Sequence, residues 1–175
     1  MDGVRLLRND DNAQSPYGGG RLVQFEPDPA RARALREAAR SLPSHDLTPR
    51  QICDLELLAE GAFTPLTGFM GRADYESVCA HQRLADGRLW PVPVTLDIPE
   101  ALADRLTVGD QLVLRDAEGV ALAVLTVSEI FERNLLAEAE NLYGTTRPSH
   151  PEVATLLNAH RTCVAGRLEL IAWPT

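Results

Sequence analysis

The stretch GVALAVLTVSEIFER, residues 119–133, is apolar on both faces of an extended chain. Leu122, Val124, Thr126 and Ile130 alternate there with Ala123, Leu125, Val127 and Phe131. A strand with one wet face alternates apolar and polar residues, whereas one that is apolar on both faces needs a packed layer on each side. The run is also long enough to bend around a small barrel, with one face filling the interior and the other meeting helices. Just before it, VGDQLVLRD and the tight turn Ala117-Glu118-Gly119 complete a hairpin signal. The rest of the chain must then supply the helices that cover the outer face.

The first half of the sequence has that periodicity. DPARARALREAARSL, residues 28–42, reads as a helix with Asp28 as N-cap and Pro29 in the first turn. Leu35, Ala38, Ala39 and Leu42 form its apolar face, while Arg33, Arg36 and Arg40 fall on a solvated one. In LTPRQICDLELLAEG, Thr48 and Gln51 have capping-box spacing, Pro49 takes the first helical position and Gly61 ends the helix. Ile52, Leu55 and Leu58 or Ala59 point inward, leaving Arg50, Asp54 and Glu60 largely outside. RADYESVCAHQ, 72–82, is a third helix with Tyr75, Val78 and Cys79 turned inward. Between the second and third lies AFTPLTGFM, a loop by its Pro65 and Gly68, yet carrying Phe63, Leu66, Phe69 and Met70. Strung between two helices, it is expected to fold its apolar residues back onto the core, with Phe63 and Phe69 mostly buried.

The remaining segments read as short elements. RLVQF, 21–25, is a short strand after a weakly ordered segment 1–20 that ends in YGGG. ADGRLWPVPVTLDI places a turn at Asp86-Gly87 and a strand from Val92 to Ile98, with Val92, Val94 and Leu96 on one face; PEALADRL is a short helical link. Residues 135–143 and 151–160 are short helices, and RLELIAW, 167–173, is a last strand. A chain of 175 residues, 45% hydrophobic and 24% charged, suits one globular domain over 21–175. No apolar run approaches the ~20 residues of a membrane span, and the polar start lacks a secretory pattern, so the expected location is the cytoplasm.

The side chains that carry chemistry are sparse. Cys53, Cys79 and Cys163 form no C-x-x-C pair and no His stands at ligand spacing, so buried free thiols and no metal are expected. His45, His81, His150 and His160 make no H-E-x-x-H set and read as surface or cap residues; Arg147, His150 and His160 near Thr145-Thr146 are a weak anion candidate. Asp54 and Glu56, two apart on a helix, point to different sides and make a poor acid/base pair. YGGG lacks the spacing of a phosphate cradle, and the net charge of -8 argues against a nucleic-acid backbone as partner, although every basic side chain is Arg.

Several segments taken together resemble one family. LTPRQICDLELLAEGAFTPLTGFM, YESVCAHQRLADGRLWPVPVTLDI, GDQLVLRDAEGVALAVLTVSEIF and LYGTTRPSHPEV follow the order found in the N-terminal domain of ATP sulfurylase (sulfate adenylyltransferase), from about Leu47 to Val153. YGGGRLV is similar to that family's PHGG-x-LV opening, with Tyr17 in place of His; Glu152 follows Pro151 where Gly is usual. The resemblance implies an α+β, PUA-like fold, a small mixed β-barrel with flanking helices. It implies an enzyme that joins sulfate to ATP, giving adenosine 5'-phosphosulfate and pyrophosphate in sulfate assimilation.

In that family the chemistry sits in a following catalytic domain marked by Q-x-R-N-P-x-H and a later H-x-G-H-like motif. Arg8-Asn9 and Arg133-Asn134 lack the flanking Gln and His, so no catalytic residue carries over, and ATP and sulfate are expected to bind outside this chain. The family-motif residues here, Arg50, Gln51, Asp54, Glu56, Phe63, Pro65, Leu66, Gly68, Phe69, Met70 and Trp90, are expected to be structural or interdomain. The expected partner is the catalytic domain, in cis or in trans, with a homo-oligomer possible. A free-standing PUA-like module binding RNA or nucleotide is the alternative, disfavoured by acidity and few aromatics. An enzyme of its own, reusing Asp54, Glu56, His81 or Arg147, ranks last because no spacing guarantees that they converge.

Overall fold

The computed structural model describes residues 22–173, and the 1–20 segment read above as weakly ordered, YGGG included, lies outside them. Helix α1, Pro29–Ala38, starts where expected: Asp28 Oδ1 accepts from the N–H groups of Ala30 and Arg31, each at 3.0 Å. It stops four residues short of Leu42, because Pro43 follows and disfavours helical backbone in the residue before it. Strand β1, Ser44–Asp46, is too short and polar to have been read from periodicity. Helix α2, Pro49–Ala59, has both bonds of the capping box, and Gly61 follows its end at φ +78°. Helix α3 is Arg72–His81, strand β2 Leu96–Ile98 and helix α4 Glu100–Ala103. Strands β3, Gln111–Arg115, and β4, Ala121–Glu132, form the hairpin; α5, Leu135–Tyr143, α6, Pro151–Leu157, and β5, Thr162–Leu170, complete the order.

The strands make one curled, half-barrel sheet in the order β1-β3-β4-β5-β2, antiparallel except for the β1–β3 pair. Leu112 and Leu114 of β3, Ala123, Leu125 and Val127 of β4, and Val164, Leu168 and Leu170 of β5 fill its interior with Leu55 and Leu58 of α2. On the outer face, Val113 and Val124 pack with Leu35 and Ala39 of α1. Both faces of the hairpin are therefore covered, as its sequence requires.

Simple alternation along β4 fails at two places. Leu122 is an extra residue opposite the Leu114–Arg115 step and joins the interior beside Ala123. The register shifts again between Val127 and Glu129, so Ala123, Leu125 and Val127 face the interior before that bulge and Ile130 faces it afterwards. Phe131 is thereby turned outward, onto Tyr75 and Cys79 of α3 and Cys163 of β5. One extra residue inverts the facing of all that follow. Opposite the bulge stands Gly166, where a Cβ would overlap the carbonyl of Thr126.

Four expectations need correction. Residues 22–25 are not a strand, although Leu170 N–H donates to Phe25 O at 2.8 Å. The strand expected over 92–98 is confined to β2, and Val92 is exposed: Pro91 and Pro93 have no N–H to give a ladder. The last strand begins at Thr162, not 167, and ends at Leu170; Gly166 had interrupted its apolar pattern. Cys53 is exposed rather than buried, unlike Cys79 and Cys163.

Candidate interdomain face and the groove beside it

The family-motif residues fall into two local arrangements, and residues outside that set form a third. The first is a polar joint at the start of α2. Buried Gln51 accepts from Thr48 N–H at 2.9 Å through Oε1, while its Nε2 donates to Asp97 O at 2.8 Å and Asp97 Oδ1 at 3.1 Å. The same Oε1 lies 3.2 Å from His45 Nε2, an acceptor that selects the Nε2–H tautomer. His45 is therefore a buried residue of β1, not a surface one, and burial pushes its imidazole below the ordinary value. Arg50 reaches Asp54 at 3.8 Å and donates to Pro93 O at 3.4 Å. Asp54 is half-buried rather than outside, its carboxyl raised by burial and offset by Arg50; Glu56 is exposed.

The second arrangement is the apolar loop. Leu66, Phe69, Met70 and Trp90 are buried in the main core, whereas Phe63 is half-buried and meets Trp90 edge-on at 5.6 Å between ring centroids. The Thr64–Pro65 peptide is cis, and Pro65 is half-buried. Met70 N–H donates to Val94 O at 2.8 Å, pinning the loop to the segment before β2. At Gly68 a Cβ would stand 2.8 Å from Gly166 O, so the loop lies flat against β5 at the bulge. Two glycines thus let three strands of chain meet where the half-barrel would otherwise be open.

Beside this junction runs a groove of about 610 Å³ between the loop, the 84–88 turn and the bulge. Its charged groups already have partners. Asp74 Oδ1 accepts from Ala85 N–H at 2.8 Å, Asp86 pairs with Arg88, and Arg167 reaches Glu169 at 3.5 Å. Glu129 Oε2 accepts from Arg72 N–H at 3.2 Å, placing a carboxylate at the positive end of α3. Among the described residues no group of three or more His, Cys, Asp or Glu is placed to hold a metal.

The third arrangement was not foreseen as a unit. Arg133, with a side chain only 3% exposed, lies 3.6 Å from Asp97 Oδ1 and 3.7 Å from Glu138 Oε1. It also donates to His160 O at 3.1 Å and Thr95 Oγ1 at 3.3 Å, and Tyr75 Oη donates to Glu138 Oε2 at 2.8 Å. Burial raises Glu138, with Arg133 and the Tyr75 hydroxyl working against it; burial also lifts the Tyr75 hydroxyl, and the Cys79 and Cys163 thiols to about 12. The pair Arg133-Asn134 is therefore architectural: Arg133 joins β2, β4 and α5, and Asn134 caps α5 by accepting from Ala137 N–H. The available signal was a Glu on the buried face of α5, flanked by Leu135 and Ala139.

The structure brings no reaction centre together from Asp54, Glu56, His81 and Arg147: no contact joins them among the described residues. Arg147 and His150 share one turn, with His150 against Tyr143, while His160 N–H donates to Asp97. A curled five-stranded sheet clasped by helices is the architecture of a PUA-like domain. The chain belongs to that family, whose profile, described as a PUA-like domain, matches residues 14–172.

Its relatives are sulfate adenylyltransferases. That of Symbiobacterium thermophilum is 44% identical over 160 residues, covering 91% of this chain and 40% of the relative. That of Saccharomyces cerevisiae is 38% identical over 163 residues, covering 91% and 32%. A solved structure titled "Hexameric APS kinase from Thiobacillus denitrificans" superimposes with a TM-score of 0.67 at 40% identity, over 92% of this chain and 27% of that one. The chain corresponds to the N-terminal part of the curated relatives and spans two fifths or less of their length. Among the described residues no helix is long and apolar enough to cross a membrane.

Proposed function

We propose that this chain is the non-catalytic PUA-like domain of a sulfate adenylyltransferase, packing on a catalytic domain that lies outside it. The activity of the whole protein is the formation of adenosine 5'-phosphosulfate and pyrophosphate from ATP and sulfate, in the cytoplasm, with both substrates held by the catalytic domain. The observation that carries the reading is the match itself: identity near two fifths runs the length of this domain and ends well short of the relatives' length. In support, the family-motif residues serve the core and its caps. Gln51 builds a joint, Gly68 permits a close approach, and Phe69, Met70 and Trp90 fill space.

The isolated chain is assayed for ATP formation from adenosine 5'-phosphosulfate and pyrophosphate. No turnover is expected at enzyme concentrations where a full-length relative is readily measured. Turnover that follows the purified chain through successive columns would place the chemistry in this domain and overturn the reading.

A further inference from the structure

The half-barrel has two edge strands, each three residues long and each with one strand partner: β1 pairs with β3, and β2 with β5. Among the described residues no backbone hydrogen bond joins β1 to β2 across the remaining gap. One side chain does reach both. Gln51 Oε1 accepts from His45 Nε2 of β1 at 3.2 Å, and Gln51 Nε2 donates to the carbonyl of Asp97 in β2 at 2.8 Å. We propose that Gln51 is a latch closing this seam and that protonation of His45 releases it, so that on acidification the domain opens at its two edges before the sheet itself unfolds. Leu47, next to β1, and Leu96 and Ile98 of β2 are buried in the main core, so parting the edges uncovers interior.

The release follows from what surrounds the ring. His45 is buried and holds the latch as the neutral Nε2–H tautomer, so an added proton goes to Nδ1. The charged and titratable groups that act on it are Asp97 of β2, His160 in the turn before β5 and Asp46 of β1 itself. From α2 it meets the uncharged amide of Gln51, and β3 sets Leu114 beside it in register. Asp97 is already engaged: its Oδ1 accepts from Gln51 Nε2 at 3.1 Å and lies 3.6 Å from Arg133, and its Oδ2 accepts from His160 N–H at 2.9 Å. Asp46 is exposed and, as the next residue along a strand, points to the opposite face. Burial therefore outweighs both carboxylates and holds the imidazole below its ordinary value, so the closed seam favours the neutral ring. That contribution is complete above the ordinary 6.5 and is lost as pH falls through the folded value. The imidazolium is better solvated outside, and its departure ends the hold of Gln51 on β1.

Amide hydrogen exchange of the unmodified chain at about pH 7 and about pH 5, each corrected for the intrinsic exchange rate, reads the opening. Protection over 44–47 and 96–98 is expected to fall on the order of tenfold at the lower pH, while the β4–β5 pairing over 123–127 and 166–170 keeps its protection. His45→Gln retains a side-chain donor toward Gln51 but takes up no proton, so the loss at low pH should vanish. Thr48→Ala removes the α2 cap and touches neither end of the latch, so the loss should persist. In the unmodified chain the side-chain amide signals of Gln51 should also shift with the midpoint of the His45 ring, below 6.5. Equal protection of the edges at both pH values, or a loss that β4 and β5 share in step, overturns the proposal. So does a loss that survives in His45→Gln or disappears in Thr48→Ala, the latter assigning the effect to the start of α2. Should His45→Gln fail to fold, the signals of the unmodified chain still decide: a ring midpoint at or above 6.5, or a Gln51 amide indifferent to it, overturns the latch.

Discussion

Replacing Arg133 by Met removes the only cation within ion-pair distance of Glu138 among the described residues, and Glu138 is 4% exposed. Arg133 also holds Asp97 and donates to the carbonyl of His160 and the hydroxyl of Thr95, so the substitution strands several buried groups at once. Breaking a buried pair by deleting one partner costs about 3–5 kcal/mol, because the remaining charge keeps its desolvation penalty. For a domain of this size that corresponds to a fall in thermal midpoint of roughly 6–20 °C. Adding Glu138→Gln removes the stranded charge, so the double variant should be less damaged than the sum of the singles by about 1–3 kcal/mol. Glu138 has a folded-state carboxyl raised above its ordinary 4.5. Such a group favours the folded state below the unfolded value and loses that contribution as pH rises through the folded one. The Arg133→Met penalty should therefore be largest near neutral pH and shrink as pH falls toward 4.5. Urea unfolding of the three variants across pH reads all of this. A cost below about 1 kcal/mol, or strict additivity, would refute the account of the node.

Gly166→Ala should cost about 3 kcal/mol in urea unfolding, since its Cβ meets backbone that cannot yield; stability within about 0.5 kcal/mol of the parent would contradict the bulge geometry. His45 is depressed by burial, so its contribution is present above the ordinary 6.5 and lost as pH falls through the folded value; His45→Gln should flatten the stability profile below pH 6.5. In the native protein Cys53 should react with Ellman's reagent at once, while Cys79 and Cys163, buried and raised to about 12, wait for unfolding; immediate reaction of all three would contradict the packing of α3 on β5. Thr48→Ala should cost about 1 kcal/mol through the lost N-cap, read from the same unfolding curves.

What was legible in the sequence was whatever a local rule encodes. The capping box of α2, the N-cap of α1, the hairpin turn and the inward faces of α2 and α3 each depend on residues within a few positions of one another. The misses have longer reach. The β4 bulge turns Phe131 outward only because Gly166, 35 positions away, offers its backbone. β1 exists because β3 pairs with it, since Ser44-His45-Asp46 has no strand pattern of its own. The candidate residues were legible as a set through resemblance, yet their roles were not. Gln51 looked like a cap and is also a bridge to Asp97, and Arg133 looked like half of a motif and holds three elements together.

The central claim is that this domain is one part of a longer sulfate adenylyltransferase. Reading the gene downstream of the codon for Thr175 tests it most directly. The account predicts an open frame carrying Q-x-R-N-P-x-H. A stop codon there would contradict it and make the PUA-like domain a protein in its own right.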